Sequence, residues 1–189
     1  MLLLGLKINI IFNKDCNEAI KDIEQYMNSI KYKNYLAFID PYHMEIWWKS
    51  MEKLLSFEYG DIMIVLQAKL IVRTIGTYLH SRSLSHGKKI QRFLGEENHN
   101  IIEQLRTEES VKKYYINKIY KYRKFIVDIE IKSGKRDPYR YYLIFATRRE
   151  NPPWKNYIMK MKKFVEIFSG DLVETSIDYI TGKAQRLYY

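Results

Sequence analysis

Tyr35-Leu36-Ala37-Phe38-Ile39-Asp40-Pro41 decides the reading of the chain. A continuous apolar run stopped by an acid and a proline predicts a short strand buried on both faces, the pattern of strands in parallel sheets, because proline has no amide to continue the ladder. Working outward, Asp61-Ile62-Met63-Ile64-Val65-Leu66 has the same character. Lys7 to Phe12 is a third apolar run. Between these runs lie two helical patterns. Asp15 with Glu18 three residues on suggests a capping box, after which Ala19, Ile20, Ile23, Met27 and Ile30 recur at helical spacing, predicting a helix from Cys16 to Ile30. Met44, Trp47, Trp48, Met51, Leu54 and Leu55 form a second stripe. Strand, helix, strand, helix, strand is the signature of a right-handed parallel sheet.

Beyond Leu66 the period changes. From Lys69 to Lys124 the pattern is helical with interruptions at Ser81 to Ser85, Gly95 and Thr107 to Ser110, which reads as an inserted segment of several helices. Phe125 to Ile131 and Tyr139 to Thr147 flank the turn-rich Ser133 to Pro138 and read as a β-hairpin closing one edge of the sheet. A last helix carries Trp154, Tyr157, Ile158, Met161, Phe164, Val165 and Phe168 on one face and stops at Gly170. The expected fold is α/β, a Rossmann-like mixed sheet of about five strands with the first three parallel and a C-terminal antiparallel hairpin, in a single domain over 1–189 with a helical insertion at 69–124.

Composition sets limits on function. The 189 residues are 47% hydrophobic and 29% charged, with 8 glycines and 4 prolines, which excludes a disordered or collagen-like chain and allows a substantial core. A lone cysteine, Cys16, forms no internal disulfide and builds no zinc site. His80, His86 and His99 lack the paired spacing of a helical metal site, so no metal is expected. The apolar start lacks a basic leader and a cleavage site, and no later stretch is long enough to cross a bilayer; the expected location is cytoplasmic, with no membrane partner. The formal charge of +10 favours a polyanion, nucleic acid first, although a lysine-rich solvated surface has the same composition.

In open parallel sheets ligands bind beyond the carboxyl ends of the strands, which directs attention to Asn13 to Asn17, Asp40 to Met44 and the chain after Gln67. Asp40 offers a carboxylate, Tyr42 a ring and His43 a group that titrates near neutral pH; the same residues also suit an ordinary strand-ending turn. Asn151-Pro152-Pro153-Trp154 matches the Asn-Pro-Pro-aromatic motif of amino-group methyltransferases in its letters, but its position before the last apolar stripe suits a helix start. Lys112, Lys113, Lys118, Lys121, Arg123 and Lys124 interleave with Tyr114, Tyr115, Tyr120 and Tyr122, a mixture that holds phosphates and stacks bases in nucleic-acid-binding proteins, with Lys112, Lys113, Lys121, Arg123 and Lys124 the candidate binding residues. It equally describes an amphipathic helix with half-buried tyrosines and solvated lysines.

Leu36-Ala37-Phe38-Ile39-Asp40-Pro41-Tyr42, Trp47, Arg73, Asp15-Cys16-Asn17 and Tyr141-Tyr142-Leu143-Ile144-Phe145-Ala146-Thr147-Arg148 together resemble the three-Cys-motif partner proteins (TcmP), with short matching pieces spread from Lys7 to Lys163. Those proteins are similar to S-adenosylmethionine-dependent methyltransferases of Rossmann-like fold. The resemblance implies a methyltransferase-like site at Asp40, Tyr42 and His43, with Asp15 and Asn17 facing the cofactor. Asp40-Pro41-Tyr42 is also similar in placement to the Asp/Asn-Pro-Pro-aromatic loop of amino-group methyltransferases, which implies that Asp40 accepts from a target amine and Tyr42 stacks on a base. Two departures accompany it. The strand and glycine-containing cofactor loop that such proteins carry earlier are not found in this sequence, and His43 stands where the family pattern has glycine. The expectation is therefore a truncated or degenerate methyltransferase-like protein that does not bind S-adenosylmethionine alone, or one half of a composite whose other half is a partner protein. The alternative is a non-catalytic nucleic-acid-binding or protein-assembly module on the same fold.

Overall fold

The computed structural model describes residues 12–30, 34–58, 60–132 and 140–168. In chain order the described elements are α1 (Cys16–Ser29), β1 (Leu36–Ile39), α2 (Trp48–Ser56), β2 (Asp61–Leu66), α3 (Ala68–Ser81), α4 (Leu84–Leu94), α5 (His99–Gln104), α6 (Glu108–Tyr120), β3 (Phe125–Lys132), β4 (Arg140–Thr147) and α7 (Lys155–Phe168). The strands form one mixed sheet in the order β1-β2-β4-β3. β1 and β2 run parallel, Leu36 opposite Asp61 and Ile39 opposite Ile64. β4 is antiparallel to both its neighbours, β2 and β3.

The mixed α/β sheet agrees with the expectation in part: among the described residues there are four strands with one parallel pair, where about five strands with the first three parallel are expected. The expected strand from Lys7 to Phe12 lies, but for Phe12, outside the described residues, as do the turn at 133–139 and the helix stop at Gly170. The antiparallel hairpin does close one edge, with β3 outermost.

Register shows where the core sits, because alternate residues of a strand face opposite sides. Ile39, Ile62, Ile64, Leu66, Tyr142, Ile144 and Ala146 share one face and join a single cluster with Met51, Leu54 and Leu55 of α2, Ile71 and Ile75 of α3, Ile90 and Phe93 of α4, and Val111, Tyr115 and Ile119 of α6. Trp48 and Phe93 pack on Tyr115 with ring centroids at 5.4 and 5.3 Å. The opposite face is covered only in part. At the hairpin, Trp154 lies edge-on to Phe145 with centroids 4.5 Å apart, and α7 packs along β3. On the β1 side, Leu36 and Phe38 are 62% and 61% exposed. β1 is therefore an edge strand buried on one face, contrary to the two-sided burial that its unbroken apolar run predicts.

The inserted segment breaks where the sequence marks breaks. Gly95 ends α4 in the left-handed region at φ +58, with Gly95 N–H donating to the Gln91 carbonyl as a helix-terminal turn requires. Thr107 opens α6 by a capping box with Ser110, each side chain accepting from the other's amide. α1 is capped by Asp15, which accepts from Asn17 N–H at 2.8 Å. The end of α2 is closed by two arginines. Arg123 donates to the Tyr35 hydroxyl at 3.0 Å, the Leu54 carbonyl at 3.4 Å and the Phe57 carbonyl at 3.5 Å, while Arg148 donates to the Ser56 carbonyl at 2.8 Å and the Leu55 carbonyl at 3.4 Å. The last carbonyls of a helix have no intrahelical donor and carry its negative dipole end, so two cations there satisfy both needs. Among the described residues no helix is long and apolar enough to cross a membrane.

Candidate functional site

The loop from Asp40 to Trp47 leaves β1 at its carboxyl end, and its three expected site residues point to three environments. Asp40 and Pro41 line an apolar groove of about 500 Å³ between α1 and β1, together with Ile20, Ile23, Leu36 and Phe38. The Asp40 carboxylate is exposed and caps no backbone amide among the described residues. Tyr42 is 78% exposed. His43 turns inward. Its Nε2 lies 3.0 Å from Thr74 Oγ1 and 3.4 Å from the Leu70 carbonyl on α3, and burial holds the imidazole below its ordinary pKa. His43 has φ +62, a conformation glycine adopts without steric cost. That geometry explains why glycine suits this position, and the bond to Thr74 is what the imidazole contributes in its place. The structure thus brings Asp40 to the groove and leaves Tyr42 and His43 away from it.

Asp15 and Asn17 are already engaged. The Asp15 carboxylate caps α1, and Asn17 clamps the loop with both ends of its amide, donating to the Glu45 carbonyl at 2.9 Å and accepting from Trp47 N–H at 2.8 Å. In this arrangement Asp15 holds the start of α1 and Asn17 positions the loop. Asn17→Ala removes both clamping bonds and is expected to cost about 1 kcal/mol, with faster hydrogen exchange at the Trp47 amide as the specific sign. Unchanged exchange there would show that the clamp does not hold the loop. Cys16, in the first turn of α1, is exposed, and desolvation raises its thiol pKa, the reverse of what a reactive thiolate needs.

The basic segment at the end of α6 is divided as well. Lys112 is bound to Glu109 at 2.8 Å and Asp128 at 3.0 Å, and sits over the Tyr142 ring. Arg123 is 1% exposed and committed to the end of α2. Lys113 is exposed beside Glu109, and Lys124 pairs with Glu150 at 2.8 Å. Tyr115 is fully buried, and Tyr114 and Tyr122 donate their hydroxyls to Glu96 and Glu52. Of the basic residues in this segment, Lys112 lines a small concavity beside Asp128 and Glu130, while Lys118 and Lys121 border a larger one.

That concavity is a cleft of about 860 Å³ bounded by α2, α4 and the end of α6. Its cationic lining is Lys49, Lys88, Arg92, Lys118 and Lys121; its acids are Glu52 and Glu97. Trp47, 40% exposed, stands at its mouth with the Arg92 guanidinium 4.9 Å from the ring centroid. Trp48 lies deeper, with Lys118 Nζ 4.1 Å from its ring centroid. Burial pushes the Lys118 ammonium down to about 8, and it donates to the Leu94 and Gly95 carbonyls. The helical stripe groups Trp47 with the buried Trp48 and Met51, and neither it nor any motif singles out Lys49, Lys88 or Arg92. The available signal was the four-residue spacing of Lys88 and Arg92, which sets both on one face of α4.

Among the described residues no cluster of three or more His, Cys, Asp or Glu side chains could hold a metal ion. Compared with protein-family models, with functionally characterised proteins and with solved structures, the chain matches none.

Proposed function

We propose that this chain is the substrate-facing half of a methyltransferase-like protein of the three-Cys-motif partner type, completed along β1 by a second polypeptide segment that carries the cofactor loop. One observation carries the reading: Asp40-Pro41-Tyr42 lies at the carboxyl end of β1, whose outer edge meets no strand among the described residues and whose Leu36 and Phe38 side chains are exposed. An edge strand showing two large apolar side chains is an aggregation hazard unless something pairs with it or covers it. Leu36, Phe38 and the groove beside them present apolar surface that a strand and its helix would bury. The Asp40 carboxylate, held at the rim and capping no backbone amide among the described residues, is available to accept from a target N–H. The loops that leave the two parallel strands, residues 40–47 and Gln67, contain no glycine at which a cofactor's phosphates or carboxylate could meet bare backbone.

The expected result is that the purified chain binds S-adenosylmethionine more weakly than a Kd of about 10 μM, roughly −7 kcal/mol, in a calorimetric titration. Binding at that strength or tighter by the chain alone would overturn the half-protein reading. Co-expression with the polypeptide encoded immediately upstream is expected to give a complex that binds the cofactor, and Phe38→Lys to prevent its assembly by placing a charge on the buried side of the junction. A second reading, a non-catalytic nucleic-acid-binding module, draws on the basic cleft.

A further inference from the structure

We propose that the cleft between α2, α4 and the end of α6 is a binding track for single-stranded nucleic acid, in which Lys49, Lys88 and Lys121 hold phosphates and Trp47 stacks on a base. The inference stands whether the protein is catalytic or not, because it rests on the cleft and not on Asp40.

The charge in the cleft is available, unlike most of the charge nearby. Lys112, Lys113 and Lys124 each meet a carboxylate within 4 Å. Lys49, Lys88 and Lys121 are exposed and have no such partner among the described residues. Of the two acids, Glu52 is occupied, accepting from the Tyr122 hydroxyl at 2.7 Å and from Trp48 Nε1 at 3.3 Å. The lining adds a fixed cation: Lys118 donates to the Leu94 and Gly95 carbonyls and lies over the Trp48 ring, so its charge is held in place beside the cleft. Cations gathered in a concave wall focus a positive potential that a flat lysine-rich surface does not.

Trp47 supplies the second half of the recognition. A tryptophan on an amphipathic stripe ordinarily turns into the core, as Trp48 does. Trp47 is kept out because its backbone is the N-cap of α2 and its amide is held by Asn17 Oδ1. Its ring, flanked by Arg92, gives a base a π-face and a planar cation to stack on. Bases in a duplex are already stacked and paired, so a platform of this kind selects an unpaired strand. An acidic peptide would satisfy the lysines and leave the indole unused.

The experiment is fluorescence-polarisation binding of a labelled oligothymidylate to the full chain, with the same length of duplex and a polyglutamate competitor alongside. Binding is expected in the micromolar range at low salt, with a log–log salt slope of about −2 if three phosphates are neutralised on a single strand. Lys88→Glu with Lys121→Glu should weaken it by about thirty-fold or more, while Lys160→Glu with Lys163→Glu, an equal charge change on the exposed surface of α7, should change it by less than about three-fold. Trp47→Ala should cost about ten-fold for the single strand and little for the duplex. Equal loss in the two lysine pairs would show a diffuse charge effect and overturn the proposal. So would duplex binding as tight as single-strand binding, polyglutamate competing as well as unlabelled oligonucleotide, or no salt-dependent binding at all.

Discussion

Arg123→Ala is expected to unfold at a markedly lower urea concentration than the parent chain, with a loss of about 3 kcal/mol. The side chain is 1% exposed, and its guanidinium donates to three oxygens contributed by Tyr35 and by the end of α2. Truncation leaves a cavity, frees the Tyr35 hydroxyl from its donor and strips half of the closure from α2. Arg148 cannot make up the loss, since its own bonds go to the Ser56 and Leu55 carbonyls. Arg123→Lys should recover little, because one ammonium cannot reproduce a planar fork that reaches several acceptors in different directions. Lys113→Ala, on the exposed side of α6, should fall within about 0.5 kcal/mol of the parent. A small effect of Arg123→Ala would mean that the guanidinium is not what closes α2.

Gly95→Ala is expected to destabilise the protein by a similar amount, about 3 kcal/mol, through two separate mechanisms. At φ +58 an L side chain meets its own backbone, and a Cβ at this position would lie 2.5 Å from Trp48 Cδ1. Trp48 cannot withdraw easily, being 4% exposed and packed edge-on against Tyr115. Gly76→Ala is the control. Gly76 sits inside α3 with nothing within 4 Å of an added methyl, so the same substitution there should stabilise by about 0.5 to 1 kcal/mol. Urea titrations of the two variants should move in opposite directions, and a shared direction would refute the steric account of Gly95.

Elements were legible in the sequence because their signals are local. Asp61 to Leu66 is a strand at the bounds its apolar run suggests, and α1 begins at Cys16 behind Asp15 as the cap predicts. Gly95 and Thr107 mark real helix boundaries, since the conformations needed there belong to particular residue types. The hairpin pattern holds for β3 and β4. The final stripe was read less well: Trp154 packs on the sheet, but Tyr157 and Phe164 are exposed, because periodicity says that residues share a face and not that another element covers it.

The candidate site was legible in position and illegible in arrangement. Asp40-Pro41-Tyr42-His43 opens the loop at the end of β1, as expected, yet successive loop residues can send their side chains in different directions, and His43 at positive φ turns to Thr74, thirty-one residues away in sequence. The basic residues show the same divide. From sequence Arg123 and Lys121 are equivalent; in the fold one lies beside Tyr35 and the end of α2, and the other borders a cleft. The fate of a charge depends on whether acceptors distant in the chain are brought to it, and that is settled only when the helices pack. Trp47 and Trp48 make the point on adjacent residues: apolar character and spacing determined that α2 starts here with a buried stripe, while Asn17, reaching across from α1, decided which of the two indoles stays outside.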